Sequence, residues 1–298
     1  KINEYLNKLL ETTNEDYVIA SDTDSIYVTF DKLVSKVFEK GTSVSKIVNF
    51  LDTIAGQKIE PFINKSYQTL SDMMSAYEQK MQMSREVIAD KGIWTAKKRY
   101  ILNVHNNEGV HFHEPQLKMM GIEAVKTSTP APIRVKIKEA LQIIMKGGEK
   151  QLNDFLTSYK QEFKSLDPQE IAYPRSVNGI KKFGSTSSIY IKGTPMHIKG
   201  CLIYNHLIKE KKLDYKYQYI QEGDKIKFLE LRQPNVLGSN VISFIGKFPK
   251  ELDIQRYIDY DVMYDKSFIE PLTFITNVIG WKIDRSYGTQ TTLEDFFG

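Results

Sequence analysis

A single cysteine, Cys201, stands among the 298 residues. One thiol excludes an internal disulfide and a cysteine-based zinc site, and it fits a reducing compartment. No apolar run is long enough to span a bilayer. The first segment, Lys1 to Leu10, has the pattern of a charged amphipathic helix rather than a signal peptide. The expectation is a cytoplasmic protein without a membrane partner. A strong charge of one sign is missing as well, since 41 Lys and Arg face 37 Asp and Glu for a net +4. Such a balance is compatible with nucleic acid only where basic residues cluster locally. There is no internal repeat, no low-complexity tract and no initiator methionine, so a fragment, a processed product or one piece of a split protein is expected. What is present is hydrophobic content of 41%, enough for a buried core in two domains or a domain plus a lobe.

Residues 1–11 read as a helix. Two β-branched and aromatic runs, Tyr17 to Ala20 and Ile26 to Phe30, flank Asp22, Thr23, Asp24 and Ser25, which predicts a hairpin with acids at its tip. From Thr42 to about Lys80, Ile47, Phe50, Leu51, Ile54 and Ile59, then Tyr67, Leu70, Met73 and Met74, recur at helical spacing. One or two core-covering helices are predicted there, with Met73, Met74, Met81 and Met83 as core packing. Strand-like runs at Arg85 to Ile88, Ile93 to Thr95, Arg99 to Val104 and Gly109 to His113 suit a sheet backed by those helices. The character changes near Gly121. Thr129 can cap and Pro130 can start a helix carrying Ile133, Ile137, Leu141 and Ile144 on one face, stopped by Gly147 and Gly148. A second amphipathic helix follows with Leu152, Phe155, Leu156, Tyr159 and Phe163, then a basic loop from Ser176 to Gly193. Beyond it a helix is expected around 201–207, strands around 217–231 and a helix around 267–279. The fold class is α+β.

Three groups of residues carry chemistry. Asp22 and Asp24 can crowd one end of a strand pair, a place that can hold a divalent metal, and hard carboxylate oxygens at a rigid β-turn are apt for clamping Mg²⁺ against a triphosphate. Asp and Ser are equally ordinary turn formers that bond their own backbone. Lys97, Lys98 and Arg99 lie between Trp94 and Tyr100. Strand alternation would place Lys98 and Tyr100 on one face and Lys97 and Arg99 on the other, where cations hold phosphates without reading sequence. A solvated basic strand is the plainer alternative. His111 and His113 alternate on a strand, but no third metal ligand accompanies them.

The acidic segment from Tyr17 to Val28 closely resembles the third sequence motif of family B DNA polymerases, in which DTDS joins two palm strands. Ala20 and Ser21 stand where the family usually has Tyr-Gly. The resemblance implies that Asp24 is a ligand shared by two catalytic Mg²⁺ ions and that Asp22 supports it. Lys97, Lys98, Arg99 and Tyr100 resemble the family's KKRY motif, which contacts the primer strand near its terminus. Met83 to Ile88 resembles the segment that brings a further acid near the metals, with Glu86 at the matching position and Ser84 where phage members carry Asp.

Leu117 to Glu123 and Lys126 to Pro130 resemble the palm-to-thumb crossing in polymerases of T-even-like phages. Val177 to Lys182, Pro195 to Gly200, and Tyr204 with Asn205 resemble thumb segments that close on nascent duplex. Arg175, Lys181, Lys182, Lys192 and Lys199 are the phosphate-contacting candidates, joined by Lys225 and Lys227 on one strand face. Gln290, Leu293, Phe296 and Phe297 have the spacing of a sliding-clamp-binding peptide, and this tail resembles the C-terminus of phage replicative polymerases. The resemblance implies the C-terminal half of a palm (1–121), a mainly helical thumb with a small β element (122–285) and a flexible clamp-binding tail (286–298). Partners implied are primer-template DNA, deoxynucleotides, an N-terminal polymerase half and a sliding clamp, in a host cytoplasm. No match is found to the family's first palm motif, to its nucleotide-binding helix or to an exonuclease domain. The chain is therefore expected to be inactive alone, with its two Mg²⁺ ions shared with the missing palm half. The competing reading is a non-catalytic module that binds duplex and clamp.

Overall fold

The computed structural model describes residues 1–185 and 188–285. The chain forms two compact units, Lys1–Met120 and a second beginning at Gly121. The α+β class is correct: helices accompany three antiparallel sheets among the described residues.

In the first unit, α1 (Ile2–Leu9) leads into the hairpin of β1 (Val18–Asp22) and β2 (Ser25–Val28). Then follow α2 (Asp31–Val37), α3 (Val44–Ile54) and α4 (Glu60–Met73). Leu6, Tyr17, Ile59 and Ile63 are buried together, with Ile26, Val28 and Met83 packed against them. The hairpin is thus seated on α1 and α4 by hydrophobic burial. Between α3 and α4 the residues Ala55–Ile59 wind as a π-turn just before Glu60 and Pro61. Proline has no N–H to donate one turn back, and the wider winding absorbs that missing bond. The same device recurs in the second unit, where the π-turn Asp265–Ile269 precedes Glu270 and Pro271.

The runs at Arg85 to Ile88 and Ile93 to Thr95 merge into one strand, β3 (Val87–Ala96), which pairs with β4 (Arg99–Asn107) and β4 with β5 (Val110–Met120). The central strand is the most buried, through Tyr100, Ile101, Leu102 and Val104. The methionines depart from expectation. Met83 packs against the core, but Met73, Met74 and Met81 are exposed. Ile63, Tyr67 and Ser71 are the residues of α4 turned into the core, and the helix ends at Met73 with Ser75 just beyond at φ +50°.

In the second unit, α5 (Ala131–Lys146) and α6 (Glu149–Ser165) pair, followed by α7 (Pro168–Ile171), β6 (Tyr173–Ser176), α8 (Ile180–Phe183), α9 (Met196–Glu210), β7 (Lys225–Glu230), β8 (Val241–Phe244), α10 (Tyr260–Tyr264) and α11 (Glu270–Val278). The expected Thr129 cap is corrected, because Pro130 occupies the cap position of α5 and the Thr129 amide bonds Lys126 in a preceding turn. The expected strands over 217–231 shrink to Lys225–Glu230, since the chain before it turns at Asp214 to Lys216 and at Glu222 and Gly223, and between them both backbone groups of Ile220 bond the Asn205 side chain of α9. Tyr159, Phe163, Tyr264 and Phe268 make an aromatic core, with Tyr159 and Phe268 centroids 4.7 Å apart and edge-on. The sheet order is β6-β7-β8, and α9 lies across β8.

Cys201, in α9, is buried, and burial pushes its thiol up to about 12. Thiolate is the reactive form. Iodoacetamide at pH 8 should therefore leave the folded chain unlabelled over a time in which the urea-unfolded chain labels fully; mass spectrometry checks this.

Candidate active site

The acidic turn is shaped by short bonds of its own. Asp22 faces Ser25 in the register of β1 and β2, Thr23 takes a left-handed φ of +49°, and the Ser25 hydroxyl donates to the Asp22 carbonyl at 3.1 Å. The Thr23 hydroxyl donates to the Asp22 carboxylate at 3.3 Å. Asp22 is half-buried and closes the strand, whereas Asp24 is exposed in the turn. No hydrogen bond or ion pair holds the Asp24 carboxylate among the described residues. It is a charged oxygen donor presented to solvent.

The basic segment is not a continuous strand. Ala96 faces Arg99 in the register of β3 and β4, so Lys97 and Lys98 form the turn itself, with Lys98 at φ +60°. This corrects the expected alternation, because a tight turn projects both lysines from the tip instead of dividing them between faces. Lys98 Nζ lies 3.5 Å from Asp22 Oδ2, so the acidic turn and the basic turn meet. The pair is partly exposed and contributes at most about 1 kcal/mol to stability. Its significance is positional.

Aromatic packing fixes that position. Tyr27 of β2 sits edge-on to Trp94 at 5.3 Å and to Tyr100 at 5.4 Å. Leu102 and Val104 complete the cluster. Burial, with the Tyr100 hydrogen bond adding to it, pushes the Tyr27 phenol up to about 12, so it stays protonated. Tyr100 is itself buried here, which leaves Lys97 and Lys98 as the exposed cations, with Arg99 half-buried. Glu86, close enough to act electrostatically on Tyr27, forms an ion pair with Lys118 of β5.

Arg85, which sequence reasoning passed over, ties this assembly to the helices. It bonds Asp52 of α3 through Nη2 at 2.6 Å and the buried Asn106 through Nη1 at 2.7 Å, while its amide donates to Glu60 at 2.7 Å. Its adjacency to Glu86 was the available signal. His111 bonds Asn106 at 2.9 Å and serves structure. No group of three or more His, Cys, Asp or Glu is arranged for a metal among the described residues.

The other cationic candidates belong to the second unit. Arg175, Lys181, Lys182, Lys192 and Lys225 are exposed. Lys199 is half-buried, lying over the Tyr190 ring at 5.0 Å with Nζ 3.2 Å from Asn240, and Lys227 donates to the Gln169 carbonyl at 2.7 Å. The start of α8, which bears Lys181 and Lys182, is braced by Glu222, whose carboxylate accepts from the amides of Gly179 at 2.6 Å and Ile180 at 2.9 Å. Gln290, Leu293, Phe296 and Phe297 lie outside the described residues. No helix among the described residues is long and apolar enough to cross a membrane.

No protein-family model matches the sequence. The whole chain aligns with the DNA-directed DNA polymerase of Enterobacteria phage T4 at 34% identity over 311 positions, and with that of Escherichia phage RB69 at 36%. The chain belongs to the T4-like family B DNA polymerases. It spans 34% of the first polymerase's length and 33% of the second's, about a third of each.

Proposed function

We propose that the chain is the C-terminal palm half (1–121) and thumb (122–285) of a DNA-directed DNA polymerase that extends a primer with deoxynucleotides. The supporting observation is the 3.5 Å contact between Asp22 and Lys98, which joins an acidic and a basic turn that are distant in sequence. The donor chemistry fits a hard divalent cation: Asp24 offers an uncommitted carboxylate and Asp22 a second one braced by Thr23. Mg²⁺, when bound, would offset the charge of the triphosphate and of the oxygens entering and leaving phosphorus. Asp24 and Asp22 would hold it, with the remaining carboxylate supplied by the portion of the polymerase this chain does not span.

Lys97 and Lys98 would place the primer phosphate beside that acid pair, as cations position backbone without reading bases. The Tyr27, Trp94 and Tyr100 cluster keeps the two turns in register with each other, so the primer end and the acids stay aligned. Glu86 is a supporting acid whose Lys118 partner must release it before it could reach a metal. Arg175, Lys181, Lys182, Lys192, Lys199, Lys225 and Lys227 would hold duplex phosphates, and residues 286–298 would engage a sliding clamp.

The test is deoxynucleotide incorporation on a primed template with Mg²⁺, by the chain alone and together with the remaining portion of the polymerase. Incorporation is expected in the mixture only. Duplex binding by the mixture without incorporation would support the non-catalytic module instead.

A further inference from the structure

Leu70 and Met73 on the last turn of α4 and Met74 at its C-terminal cap stand at i, i+3 and i+4, a spacing that puts them on one helix face. That face is unpartnered: the three residues are 43%, 74% and 72% exposed. Tyr77, just beyond, is fully exposed and Met81 is 46% exposed. The charges of this segment are engaged among themselves or locally, with Lys80 pairing Glu78 at 3.1 Å and Asp72 accepting from Gln68 at 2.8 Å. A run of large apolar side chains left open in this way marks an interaction surface on a folded protein. Methionine suits one, because its unbranched, polarizable side chain adapts to a partner's contour.

We propose that this Met-Tyr face, residues 70–81, is the seat of the portion of the polymerase that lies outside this chain. The inference rests on the polymerase reading above. The relatives are about three times the length of this chain, so a body roughly twice its size has to be held where its carboxylate can join Asp24. Asp24 and the Met-Tyr face belong to the same compact unit, so a partner anchored on one is positioned relative to the other.

The test compares the chain with its Met73→Glu/Tyr77→Glu double variant, each mixed with the remaining portion of the polymerase. Association is followed by sedimentation and activity by primer extension. Both positions are exposed, so near-ultraviolet circular dichroism and duplex binding of the variant alone should match the parent chain. Charges in an apolar interface carry a desolvation penalty, and association should weaken about tenfold or more. Extension should be lost at limiting concentration and recovered when the partner is in excess. Unchanged association of the variant, where the parent chain associates and extends, would overturn this docking face and leave the polymerase reading standing. Self-association of the parent chain that the double variant abolishes would also overturn it, in favour of a second copy. A parent chain that neither associates nor extends would overturn both.

Discussion

Replacing Asp24 with Asn in the assembled polymerase should lower the rate of nucleotide incorporation about a hundredfold or more, about 3 kcal/mol of transition-state stabilisation. Asparagine keeps the size and one oxygen but removes the charge, and charge is what a hard divalent cation requires of its ligand. Asp24 is exposed and among the described residues its carboxylate makes no contact that supports the turn, so the melting temperature and duplex affinity should stay as they are. Rapid-quench kinetics with calorimetry on the same preparations separates the two. A loss of less than about tenfold would remove Asp24 from the metal-holding role. Asp22→Asn should do less damage to catalysis, because Asp22 already accepts from Thr23 and faces Lys98, and asparagine can keep the first of these bonds.

Gly200→Ala should destabilise the second unit by about 2–3 kcal/mol through overpacking, which corresponds to a fall of roughly 4–12 °C in Tm. Gly200 sits on the face of α9 that lies against β8. A Cβ placed there would stand 2.7 Å from the Ser243 amide nitrogen and 3.0 Å from the Ile242 carbonyl carbon. Those are backbone atoms, which cannot rotate aside. The helix and sheet are also stitched at this point by the Ser243 hydroxyl, which donates to the His197 carbonyl at 2.8 Å. Thermal unfolding followed by circular dichroism checks the result, and an unchanged Tm would mean that α9 does not pack on β8 as closely as described. The neighbouring Lys199 reaches away toward Asn240 and Tyr190, so Lys199→Ala should leave stability nearly intact and weaken duplex binding in a salt-dependent manner.

The elements that could be read from the sequence are those whose pattern has one physical cause. The amphipathic period of α5 and α6, and the paired β-branched runs around Asp22 and Asp24, report burial of a single face, and burial is what the structure shows. Turns resist such a reading. The lysines at 97 and 98 lie inside a run that alternates well enough for a strand, and only the left-handed backbone at Lys98 reveals that they cap a hairpin. The methionines mislead for a related reason, since an apolar helix face is the same pattern whether it meets its own core or another body. Thr129 failed as a cap because α5 begins one residue later than the pattern suggests, with Pro130 in the cap position. Arg85 was invisible because its role depends on Asp52, Glu60 and Asn106, three residues that periodicity does not connect. The pairing of Asp22 with Lys98 is likewise a tertiary fact: both segments stand out by their residues, the acidic one as a hairpin tip and the basic one as a strand, but their contact depends on Tyr27 packing against Trp94 and Tyr100.

The most direct measurement is single-turnover primer extension in which duplex, Mg²⁺ and the remaining portion of the polymerase are held fixed while this chain is titrated. The account predicts no extension at zero chain, a rise that saturates at one chain per partner, and a rate about a hundredfold or more lower at saturation with the Asp24→Asn chain. Extension at an undiminished rate without the chain, or none at saturation while duplex is bound, would contradict it.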